Sequence, residues 1–131
     1  MIVHVRAVRK DLLQGIEEVF ADGNAIRKGN SFSVRECPPW TGIDIVTAGE
    51  TEAVLEHRGE TESRIVFPFE GDGRAEVKSE FGTMVFRAVL DEFSQSEEEI
   101  MIRYRLFQKD ELIAHTVLCF FFQESEKGFH A

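Results

Sequence analysis

Apolar side chains recur at every second position through most of this chain, and that period decides what it can fold into. Phe32 and Val34 alternate with Ser31, Ser33 and Arg35, and Ile43 and Ile45 flank Asp44. Ile65, Phe67 and Phe69 alternate with Arg64, Val66 and Pro68. Ile100, Ile102, Tyr104 and Leu106 alternate with Met101, Arg103, Arg105 and Phe107. A period of two places each set on one side of a pleated strand, whereas a helix would scatter it around the axis. The enrichment in Val, Ile and Phe agrees, because these side chains suit a pleated, half-buried surface.

Turn chemistry cuts the runs apart. Asp22-Gly23-Asn24, Lys28-Gly29-Asn30, Ala48-Gly49-Glu50, Arg58-Gly59 and Gly71-Asp72-Gly73 all supply residues that tolerate a positive φ. The intervals are those of hairpins joining sequential antiparallel strands. The reading predicts nine or ten strands, near 2–9, 15–21, 24–28, 31–36, 42–48, 51–58, 62–69, 74–80, 82–90, 99–107 and 112–122, with 15–21 and 24–28 as one bent strand or a hairpin. Residues 10–14 suggest a turn, and residues 90–96 a helical turn or two. No segment is long and amphipathic enough to cover a sheet with a helix. Closing the sheet on itself removes its edges, so the predicted fold is all-β, an antiparallel meander closing into an 8–10-stranded calycin/lipocalin-like barrel. A sandwich is the competitor. One barrel domain is expected over 1–123, with a flexible C-terminal tail at 124–131.

The 131 residues suffice for one domain, and 43% hydrophobic with 30% charged residues is a globular balance. A net charge of -9 argues against a nucleic-acid partner, which needs a concentrated basic footprint. No apolar run reaches membrane-span length and the start lacks the apolar core of a secretory signal, so a cytoplasmic protein with no membrane partner is expected. Cys37 and Cys119 are then read as reduced thiols, Cys119 as a small buried hydrophobe among Leu118 and Phe120.

Motifs that carry chemistry are scarce. There is no Gly-x-Ser-x-Gly, phosphate loop or dinucleotide fingerprint, and His4, His57, His115 and His130 never sit at ligand spacing from one another or from a cysteine. No metal, no cofactor and no catalytic residue is therefore assigned, and His57 and His115 are read as decorating strand faces. Four residues stand out as candidate ligand contacts. Glu36 ends an alternating strand just before Cys37-Pro38-Pro39-Trp40, and Trp40 is placed to plug a barrel end. Arg58 ends the strand Ala53-Val54-Leu55-Glu56-His57 and is left open between a solvated exterior face and the lumen, where a guanidinium must be paired or meet an anionic ligand. Tyr104 lies among aliphatics as a core residue or a polar anchor in a cavity. Arg103 and Arg105 are read as exterior, and Arg87 shares its strand face with Val85 and Val89. The final strand is apolar on both sides, with Leu112, Leu118, Phe120 and Phe122 on one and Ile113, Val117 and Phe121 on the other. The second face needs a cover, and a homodimer interface at Ile113, Val117 and Phe121 would supply it.

From about Ile26 to Phe122 the order of features resembles the YwiB-like family, small bacterial proteins of unknown function with a calycin-like β-barrel. The landmarks are Phe32-Ser33-Val34-Arg35-Glu36, Arg58-Gly59, Ile65-Val66-Phe67, Phe81-Gly82-Thr83-Met84-Val85-Phe86 and Ile100-Met101-Ile102-Arg103-Tyr104. The resemblance implies the barrel and no activity. Three readings follow. The first is a barrel holding a small apolar or amphipathic ligand in its lumen, anchored by Arg58 and Tyr104. The second is a non-catalytic interaction module with a filled core. The third is a small hydrolase or isomerase using Glu36 with Arg58, which requires the two to converge.

Overall fold

A computed structural model describes residues 1–124. It contains ten strands: β1 Ile2–Asp11, β2 Ile16–Lys28, β3 Ser31–Arg35, β4 Ile43–Ala48, β5 Glu52–Arg58, β6 Glu62–Pro68, β7 Gly73–Ser79, β8 Gly82–Gln95, β9 Glu99–Gln108 and β10 Glu111–Glu124. Each pairs antiparallel with the next, and β1 also pairs with β10, so the sheet closes into an up-and-down barrel. Closure leaves no strand edge to protect. Among the described residues no helix is long and apolar enough to cross a membrane. The tail expected at 124–131 lies, from residue 125 onward, outside the described residues, and Glu124 itself belongs to β10.

Several turns use a positive φ that glycine adopts without a Cβ penalty, while the β9–β10 turn places it at Lys109. Gly15, Gly29, Gly71 and Gly82 adopt φ of 72°, 57°, 84° and 119° in four of the connections. At the first turn Asp11 also accepts hydrogen bonds from the backbone N–H groups of Leu13 (2.9 Å) and Gln14 (3.1 Å), the local bonding that favours Asp before a bend.

Three bulges account for the differences from the expected elements. Residues 15–21 and 24–28 form one strand, β2, in which Ala7 pairs Ala21 and Val8 pairs Val19, so Phe20 is the extra residue. Both Phe20 and Ala21 are buried as a result. The helical turn expected at 90–96 is absent: β8 runs on to Gln95, with Leu90 paired to Tyr104 and Glu92 to Arg103. Asp91 is the bulged residue and takes Arg105 in a two-pronged contact at 2.7–3.0 Å on the exterior. Ladder hydrogen bonds to β9 outweigh the weak local preference of Asp91-Glu92 for a turn. In β10 the register shifts at Ile113, so Leu112 pairs with Phe107 and joins the outer face instead of sharing the inner one with Leu118. Outside, Ile113 and Phe121 are 36% and 41% exposed, and Val117 is partly covered.

The core is the inward half of the alternation. Small residues such as Ala7, Ala53, Ala75 and Ala88 leave room for large ones, and the rings of Phe32, Phe67 and Phe120 are almost wholly buried. Phe32 meets Phe120 and Phe122 edge-on, with centroids 5.3 and 4.9 Å apart. Phe69 and Phe93 stack at one end, 5.2 Å apart. Arg105 lies outside over Phe107, as expected for a solvated arginine on apolar surface, and Arg87 packs over the same ring. Phenylalanine fills the middle of the barrel. The other end is hollow.

Candidate functional site

At that end four inward stripes each finish on a polar side chain. Val3, Val5 and Ala7 lead to Arg9; Phe32 and Val34 lead to Glu36; Ala48 and Val46 lead back to Asp44; Ala53 and Leu55 lead to His57. Because the strands are antiparallel, these ends converge, with Val34 opposite Asp44 and Asp44 opposite His57 in the ladder. They border a cavity of about 510 Å³, walled on its apolar side by Phe20, Leu55, Leu118 and Phe120 and bounded by Trp40 and Tyr104. A pocket of a few hundred Å³ with a few convergent polar groups has the dimensions and chemistry of a small-molecule site.

The loop between β3 and β4 forms the rim. Glu36 N–H donates to the Gly42 carbonyl (2.8 Å), Cys37 N–H to that of Phe20 (2.9 Å), and Trp40 N–H to that of Cys37 (3.1 Å). These bonds pin a tight loop and lay the indole across the barrel end, where it packs against the core. The Arg9 guanidinium sits 5.2 Å from the Phe20 ring centroid and 5.6 Å from that of Trp40, and is held by Glu18 at 2.6 Å.

Two carboxyls and one imidazole make the chemical centre. His57 Nδ1 lies 3.1 Å from Asp44 Oδ1 and 3.2 Å from Glu36 Oε2. Glu36 is 7% exposed and its Oε1 accepts the Gly42 N–H at 3.1 Å. Asp44 Oδ2 is buried with no hydrogen-bond partner. Burial, and then the hydrogen bond and negative charge of Glu36, push Asp44 up to about 8 from an ordinary 3.8, with Arg9 opposing weakly. The buried site therefore favours the protonated form of Asp44. Burial likewise raises the Tyr104 phenol, against the influence of Thr116. The cluster can hold a proton, donate one to a bound group, or surround a cation.

Gly42 makes room for this arrangement. A Cβ there would overlap the His57 ring and lie 3.0 Å from Glu36 Oε1. Gly42→Ala is expected to expel the imidazole from between the carboxyls and to cost about 1–3 kcal/mol by overpacking. Urea titration measures the cost, and an unchanged far-ultraviolet circular dichroism spectrum would confine it to the site.

Three of the four sequence candidates, Glu36, Trp40 and Tyr104, border the pocket. Arg58 does not. It shares the outer face of β5 with Glu56, is 65% exposed, and lies 3.9 Å from the Glu56 carboxylate. Glu36 and Arg58 stand on opposite sides of the sheet, so the pairing that an enzyme using both would need is not formed. Arg9 occupies the arginine role instead, and Asp44 and His57 complete the site. All three have a sequence signal, since each continues the parity of an apolar stripe. Ile43 and Ile45 obscured it for Asp44 by suggesting the opposite facing.

No protein-family model matches this sequence, and no curated protein matches it. Among solved structures the chain is similar to the YwiB protein from Bacillus subtilis, with a TM-score of 0.58 and 18% identity over 95% of this chain and 90% of that one. The likeness establishes a YwiB-like barrel fold.

Proposed function

We propose that this protein is a small-molecule-binding barrel whose pocket takes an amphipathic ligand. The ligand's apolar part lies against Phe20, Leu118 and Phe120, and its polar end meets Glu36, Asp44 and His57. The observation carrying this reading is the cavity of about 510 Å³ where Glu36, Asp44 and His57 converge beside the apolar side chains of Phe20, Leu55, Leu118 and Phe120. A filled-core interaction module would have no reason to leave that space or to bury carboxyls at its wall, since unpaired buried polar atoms are costly. Trp40 and Tyr104 supply large, rigid contact surface at low entropic cost.

Native mass spectrometry on gently purified protein tests the reading. The expected spectrum contains a species heavier than the 15.0 kDa chain by one small organic molecule, released on denaturation. A bare chain from several expression hosts would contradict it.

A further inference from the structure

Acceptors crowd one edge of the His57 ring. Glu36 Oε2 and Asp44 Oδ1 both approach the single Nδ1, and Asp44 Oδ2 is buried beside them with no hydrogen-bond partner. Glu36 is more than nine-tenths buried, and its Oε2 has that already shared Nδ1 as its neighbour. The nearest guanidinium, Arg9, is engaged by Glu18. Glu36, Asp44 and Glu60 line the pocket beside Arg9, so the field there favours a cation.

The spacing suits an ion of a particular kind. Ligand atoms about 2.1 Å from a metal stand about 3.0 Å apart along an octahedral edge and about 3.4 Å apart along a tetrahedral one. The distances of 3.1 and 3.2 Å from Nδ1 to the two carboxylates fall between these values. One donor atom from each of Glu36, Asp44 and His57 lies within 4.8 Å of the others. We propose that Glu36, Asp44 and His57 together bind one divalent transition-metal cation at the pocket wall, leaving its remaining positions open to the cavity. An imidazole with two carboxylates favours first-row metals and zinc over magnesium or calcium, which take oxygen ligands. Gly42 and Gly59 keep the ring in place: a Cβ at Gly59 would lie 3.1 Å from Nε2. The proposal goes beyond the small-molecule reading and does not depend on it.

The test uses the full chain after chelation and dialysis, titrated with Zn²⁺ and Co²⁺ by calorimetry and, for Co²⁺, by visible absorption. One ion per chain is expected, with Mg²⁺ failing to compete at equal concentration. Asp44→Asn keeps the side chain's shape and is expected to weaken Zn²⁺ binding about 100-fold or more, at or beyond the upper end of losses seen for outer-shell partners. His57→Gln should do the same and abolish the Co²⁺ bands. His4→Ala, at the other contact between a histidine and an aspartate, Asp22, should leave affinity unchanged. Absence of one-to-one binding, unchanged affinity in a folded Asp44→Asn protein, or loss of binding in His4→Ala would overturn the proposal.

Discussion

Replacing Phe67 by alanine is expected to destabilise the barrel by about 3–5 kcal/mol, the range for deleting a buried phenyl group from a core. Phe67 is fully buried on β6, between Ala53 across one ladder and the Tyr104 ring 5.0 Å away. Neighbouring strands are hydrogen-bonded on both sides, so the wall cannot collapse inward to fill the void. With total stabilities of about 5–15 kcal/mol, such a loss removes a large share of the folding free energy. Phe69, two residues on and 39% exposed, makes the contrast: its alanine variant should lose much less. Urea denaturation of both variants checks the ranking, and equal losses would mean that Phe67 is packed no more deeply than Phe69.

Asp44→Asn is expected to act in the opposite direction. Asp44 binds its proton more tightly in the folded chain, about 8, than in the unfolded one, 3.8. Between those values the native state holds more protons than the unfolded state, so its stability falls as pH rises from about 4 to about 8. A tenfold difference in proton affinity between the two states is worth about 1.4 kcal/mol. The asparagine escapes the penalty, and its amide donates hydrogen bonds to an acceptor-rich cluster. In metal-free protein at pH 7 the variant should be about 2–4 kcal/mol more stable than the parent, the difference shrinking toward zero at pH 4. Thermal unfolding across that range measures it. A wild-type protein whose advantage over Asp44→Asn grows with pH would reverse the sign and remove the buried acid.

The barrel was legible because alternation reports facing directly. A run such as Ile100-Met101-Ile102-Arg103-Tyr104 has one arrangement that buries its aliphatics, and turn glycines mark where each run stops. Bulges were not legible. Phe20, Asp91 and Ile113 each add one residue to a strand, and nothing in their chemistry distinguishes them from paired neighbours; only the register across the ladder shows them. The site was half legible for a related reason. Glu36 was found because it visibly ends an apolar stripe. His57 ends one too, after Ala53 and Leu55, but the charge of the neighbouring Arg58 masked it. Metal-ligand spacing along the chain is absent because these ligands come from separate strands and the β3–β4 loop, and meet through cross-strand pairing, with Asp44 opposite His57.

A hollow barrel mouth lined with polar stripe ends is the feature on which the functional reading stands. Titration of the folded chain with the neutral dye Nile red, exciting Trp40, the single tryptophan, measures it most directly. The expected result is saturation at one dye per chain with energy transfer from Trp40, and loss of binding in a folded Leu55→Trp variant excited at the dye's own absorption. No saturable binding, or undiminished binding by that pocket-filling variant, would contradict the account.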